Sequence, residues 1–98
     1  MSSAGTQTYT LVDNHNFNQY EFRIGDYLAK IEYKKDDNRI FLTHTEVPPE
    51  LGGQGIGTEL VKQVLEDIKV QGLRLVPLCP FVIAYIKRHP EWMELVNN

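Results

Sequence analysis

The stretch Leu51-Gly52-Gly53-Gln54-Gly55-Ile56-Gly57-Thr58-Glu59-Leu60-Val61 joins two halves of unlike pattern. From Ile56 onward the apolar residues Ile56, Leu60, Val61, Val64, Leu65 and Ile68 recur at helical spacing. Thr58, Glu59, Lys62, Gln63, Glu66, Asp67 and Lys69 cover the other side, and Gly72 is a natural C-terminal stop. In front of this helix stand four glycines, Gly52, Gly53, Gly55 and Gly57. Glycine lets the backbone take positive φ and approach a ligand closely. The uncapped N–H groups of a helix start favour an anion. The plain alternative is a flexible turn and cap.

Upstream, the pattern has a period of two. Thr8 to Val12 reads as a strand, broken by Asp13-Asn14-His15-Asn16. Gln19 to Ile24 follows, then a Gly25-Asp26 turn. Tyr27, Ala29, Ile31 and Tyr33 alternate with Leu28, Lys30, Glu32 and Lys34. After Asp36-Asp37-Asn38, Arg39 to Val47 forms a longer strand. Alternation puts Ile40, Leu42, His44 and Glu46 on one face and Phe41, Thr43, Thr45 and Val47 on the other. Pro48-Pro49 ends the ladder, because proline has no N–H to donate. Downstream of the helix, Leu73 to Val76 suits one buried strand. Pro80 opens a helix to about Arg88, and Pro90 starts a last turn carrying Trp92, Met93 and Leu95. The order β-β-β-β-α-β-α is an α+β or mixed α/β sandwich: an antiparallel four-strand meander, a crossing helix, a fifth strand and C-terminal helices.

The chain has 98 residues, enough for one core. Residues 1–7 read as a short disordered lead and residues 8–98 as a single domain. An apolar fraction of 42% argues against disorder along the whole length. The net charge of −3 gives no support to phosphate-driven nucleic-acid binding. One cysteine excludes an intramolecular disulfide, and the His and Cys positions show no metal-ligand spacing, so no metal is expected. No run approaches the roughly 18 apolar residues of a membrane span. The start lacks the basic and apolar regions of a signal peptide. A cytoplasmic protein, monomeric or weakly dimeric, is expected.

Two nucleotide motifs fit badly. Gly52 to Gly57 followed by Thr58 has the spacing of a phosphate loop without its lysine. Gly53-x-Gly55-x-Gly57 is not the dinucleotide fingerprint. Gly52-Gly53-Gln54-Gly55-Ile56-Gly57 resembles the pyrophosphate loop of the GNAT superfamily of N-acetyltransferases. Gly52 stands where that signature usually has Gln or Arg. Three further blocks are similar to its short YjdJ-type subgroup: Thr43 to Leu51, Pro77-Leu78-Cys79-Pro80-Phe81-Val82, and Tyr85 to Glu91.

The resemblance implies acetyl-coenzyme A as co-substrate and an amine, of a small molecule or a protein, as acceptor. It implies a fifth strand parallel to the fourth and splayed from it, with pantetheine in the gap. Glu46 and Val47 would pair with the pantetheine amides. Gly52, Gly53, Gln54, Gly55, Ile56, Gly57 and Thr58 would hold the pyrophosphate. Apart from the resemblance, Tyr85, one helical turn after Phe81, is a candidate to line the adenine or pantetheine side.

Cys79 precedes a proline-started helix, whose positive end favours negative charge on a nearby sulfur. The family layout sets it near the thioester, as nucleophile or as acid/base group; otherwise it is a small buried hydrophobe. His44 is the candidate base, with a hydrogen-bonded strand histidine as its plain alternative. A coenzyme A-binding module with little turnover is the rival to an enzyme. The short Asn14 to Asn18 connection supports it, since that link has no room for the helices that wall the acceptor site in longer members.

Overall fold

The structure is a computed structural model and describes residues 9–96. The expected lead over residues 1–7 lies outside the described residues, as does Thr8 at the start of the first expected strand. Five strands form one sheet: β1 (Val12–Asn14), β2 (Gln19–Ile24), β3 (Tyr27–Asp36), β4 (Arg39–Glu46) and β5 (Arg74–Pro77). They lie side by side in chain order. The first four are antiparallel, while β5 runs parallel to β4. A parallel neighbour requires a crossover, and α1 (Ile56–Gln71) supplies it. Helix α2 (Pro80–Arg88) and a 3-10 segment over Pro90–Leu95 complete the chain.

The elements follow the sequence pattern closely, with one shift. Asp13 and Asn14 were expected to break a strand, yet they sit within β1. Each is held by a partner: the Tyr33 hydroxyl donates to Asp13 Oδ1 at 2.6 Å, and Asn14 Nδ2 donates to Glu21 Oε2 at 2.9 Å. Tertiary hydrogen bonds here override weak strand propensity.

Both helices cover one face of the sheet. The apolar stripe of α1, from Ile56 to Ile68, is buried against Tyr20, Phe22, Ala29 and Ile31. Each such side chain contributes about 1.5–3 kcal/mol relative to exposure. Val82, Tyr85 and Ile86 of α2 extend that core over β4 and β5. Tyr20 also donates to Asp67 of α1 at 2.7 Å, which clamps helix to sheet. The opposite face of the sheet carries none of the described helices and is polar, with Glu21, Arg23, Lys30, Glu32, His44 and Glu46. No helix among the described residues is long and apolar enough to cross a membrane.

Candidate functional site

The two parallel strands part company early. Their register runs from Arg39 opposite Arg74 to Leu42 opposite Pro77. The Leu42 carbonyl then accepts the N–H groups of both Leu78 and Cys79 at 3.0 Å, and the chain turns into α2. Strand β4 continues through Glu46 beside β3 alone. From Thr43 to Glu46, no described strand pairs with its other edge. An exposed edge of this kind is a ladder on which an extended amide-bearing ligand can pair.

A β-bulge lies at the same point. Glu32 faces His44, but Tyr33 faces Leu42, so Thr43 is an extra residue on β4. Its hydroxyl donates to the Glu32 carbonyl at 3.3 Å. The bulge reverses the alternation expected from the sequence. Ile40 and Leu42 point into the core, as expected, but His44 and Glu46 do not share their face. Thr45 and Val47 turn toward the helices instead, and His44 and Glu46 stand exposed on the polar face. The core-facing apolar residues are Ile40 and Leu42 before the bulge and Val47 after it, a change of parity that matches one inserted residue.

Beyond β4, Pro48 enters a 3-10 turn over Pro49–Leu51, and buried Leu51 anchors the glycine loop. Gly53 (φ 77°) and Gly55 (φ 73°) take left-handed backbone that side chains disfavour. Gly55 is the N-cap of α1, and no side chain caps it. The first-turn amides therefore face a shallow cavity of about 220 Å³. Val47, Gly52, Gly53, Gly55, Ile56, Gly57 and Thr58 line it, together with Leu51 and Phe81. At Gly57 a Cβ would lie 2.9 Å from Phe81 Cζ and 3.3 Å from Val47 Cγ2. Any side chain here would push the Phe81 ring away from the start of α1 and from Val47, just past the end of β4. Gln54 and Glu46 are not in the cavity wall.

Between loop and fork apex stand the first residues of α2. Phe81 is 40% exposed and borders the cavity, and it went unnoticed in the sequence beside the more conspicuous Tyr85. Tyr85 lies one turn deeper, is buried, and rests on the His89 ring at 4.3 Å between centroids. Burial raises the pKa of its hydroxyl above the ordinary tyrosine value, against the opposing effects of Lys62 and a hydrogen bond with Trp92. The structure thus makes Tyr85 part of the core and does not bring it to the cavity. Cys79 is the N-cap of α2 and is buried, and its thiol donates to Thr45 Oγ1 at 3.2 Å. Thr45 and Cys79 therefore meet across the fork. His44 lies on the far side of β4.

The polar face has its own charge pattern beside the fork. Lys30 Nζ is 3.0 Å from Glu32 and 3.7 Å from Glu46, and His44 Nε2 is 3.9 Å from Glu46. The hydrogen bond from Lys30 to Glu32 holds the lysine pKa above its ordinary value, against partial desolvation. Among the described residues no His, Cys, Asp and Glu side chains cluster as metal ligands.

Known proteins are similar to this chain in sequence and fold. The sequence model of the GCN5-related N-acetyl-transferases matches residues 19–95. A solution NMR structure of a GCN5-like candidate N-acetyltransferase from Staphylococcus aureus superposes with a TM-score of 0.71 at 26% identity. The match covers 95% of this chain and 92% of that one. No curated protein matches the chain significantly.

Proposed function

This chain belongs to the GCN5-related N-acetyltransferase family, and on that premise we propose that it moves the acetyl group of acetyl-coenzyme A to a primary amine. It is an acyltransferase by family; the donor site, the roles of single residues and the acceptor are our reading. The observation that carries this reading is the continuity of fork and loop cavity. A β4 edge without a strand partner leads directly to uncapped amides at the start of α1.

The residues present fit the donor. The amides from Gly53 to Thr58 suit a pyrophosphate, since unpaired N–H groups and the helix dipole both favour anionic oxygens. Phe81 and Val47 give the pantetheine arm apolar contact at the mouth of the fork. The edge of β4 near Glu46 and Val47 offers backbone partners for its amides. The thioester then lies near the apex, where Cys79 stands.

The two sides of β4 divide the work. On the polar face His44, beside Glu46, takes a proton from the incoming ammonium. The free amine attacks the thioester carbonyl, and a backbone N–H steadies the oxyanion. The C–S bond breaks, the attacking nitrogen loses its second proton to solvent, and Cys79 gives its proton to the departing thiolate. The reaction needs no covalent acetyl-cysteine. Mass spectrometry after incubation with acetyl-coenzyme A tests this point: an acetyl adduct on Cys79 would instead support a two-step route.

The direct test is release of free coenzyme A from acetyl-coenzyme A in the presence of a lysine peptide, a polyamine and simple amines. We expect amine-dependent release that falls at least about tenfold in Cys79→Ala, the usual range for losing an acid/base group being about 10²–10⁴. Saturable binding with no release for any amine would instead mark a coenzyme A-binding module. A cytoplasmic location accords with use of acetyl-coenzyme A as donor.

A further inference from the structure

We infer that Thr45 is a positioning residue for the Cys79 thiol, holding the sulfur at the fork apex and stabilising it when it gives up its proton. This inference rests on the reading of Cys79 as an acid/base group.

The geometry carries it. The Cys79 sulfur lies 3.2 Å from Thr45 Oγ1, and this contact joins two elements 34 residues apart. It is made by the bulge. Were Thr43 paired in regular alternation and not bulged out, His44 would turn to this side and Thr45 to the polar face. The bulge thus places a neutral hydroxyl, and not an imidazole, against the thiol.

A hydroxyl suits both states of the sulfur. In the thiol state S–H donates to Oγ1, as seen here. When the thioester C–S bond breaks, the proton of Cys79 passes to the coenzyme A sulfur. Rotation of the Thr45 hydroxyl then lets O–H donate to the cysteine thiolate. A proton from solvent restores the thiol. Atoms and charge balance, and no other reactant is needed.

Few charges compete for this role. The first turn of α2 carries no acidic residue. The loop and the start of α1 line the neighbouring cavity with uncharged residues only, Gly57 and Thr58 among them. From β4, His44 and Glu46 face the other way. Glu59, Lys62 and Glu91 act on Tyr85, further along α2.

Cysteine occurs once, so ¹³Cβ-labelled cysteine gives a single NMR resonance that reports ionisation without any reagent having to reach the sulfur. The experiment titrates this resonance with pH in wild type, Thr45→Val and Thr45→Ser. We expect the valine variant to hold about tenfold less thiolate at a given pH. That is the loss expected for one hydrogen bond to a charged group, and serine should restore it. A wild-type and valine titration that coincide would overturn the inference, as would a wild-type thiol that does not titrate before the fold is lost.

The two readings fail separately. Amine-dependent coenzyme A release with coincident titrations would remove Thr45 and leave the acetyltransferase. Shifted titrations with no release would establish the thiol–hydroxyl coupling and remove the catalytic role of Cys79.

Discussion

Glu21 stands on the helix-free face of the sheet, yet its side chain is only 3% exposed. It survives there as a carboxylate because donors surround it. Gln19 Nε2 at 2.6 Å, Asn14 Nδ2 at 2.9 Å and the Arg23 guanidinium at 2.8–2.9 Å all reach its oxygens. Desolvation alone would raise its pKa. The bonds from Gln19, Asn14 and Arg23 outweigh that and hold it below the ordinary 4.5. The unfolded state therefore binds more protons around that pH, and stability falls as the solution is acidified. The contribution is present above about pH 4.5 and is lost as pH drops through the lower folded-state value. Urea unfolding between about pH 3 and pH 7 should show a shallower acid slope in Glu21→Gln than in wild type. At neutral pH that variant should be roughly 1.5–3 kcal/mol less stable. Parallel slopes would contradict this. Nothing in a Gln-x-Glu-x-Arg strand pattern announces such a buried network, since only the approach of β1 and its Asn14 closes it. Tyr85 shows how one turn of helix changes surroundings: it is buried, while Phe81, one turn before it, borders the loop cavity.

Strand β4 is the element on which the site depends. Its existence and its end at Pro48 were legible from alternation and from proline's missing donor. The same period-two reading failed at Thr43, because alternation assumes an unbroken ladder and a bulge is one residue against none. The consequence is chemical as well as structural: Thr45 meets Cys79, and His44 faces the charged side. Helix α1 was legible along its whole length, since its stripe, its glycine stop and its glycine-rich start agree. What the pattern could not supply is the close contact at Gly57 between α1, Val47 just past β4, and Phe81 of α2. A side chain there must displace Phe81 or fill the cavity. Gly57→Val should therefore weaken acetyl-coenzyme A binding about tenfold, or about 1.4 kcal/mol, while the folded spectrum by circular dichroism stays unchanged. Equal affinity in the two proteins would show that the cavity is not the donor site.

At the scale of the molecule, one sheet separates two environments. The helical side holds the core, the loop cavity and the thiol; the other side is an open, charged surface. The fork at Leu42 is where the two communicate. The strand order and the crossover could be read from residue pattern alone, and the parallel, splayed fifth strand came from resemblance to a family. No composition argument reaches a fork, because the fork is set by where β5 stops pairing. The β1–β2 link is a short turn over residues 15–18, so no helix among the described residues walls the open face beside the fork.

Calorimetric titration of acetyl-coenzyme A into the wild-type protein tests the donor site most directly. The account predicts saturable binding at one site per chain, with a Kd between about 1 μM and 1 mM, the usual range for enzyme substrates. Absence of heat, with no competition by coenzyme A at millimolar concentration, would contradict it.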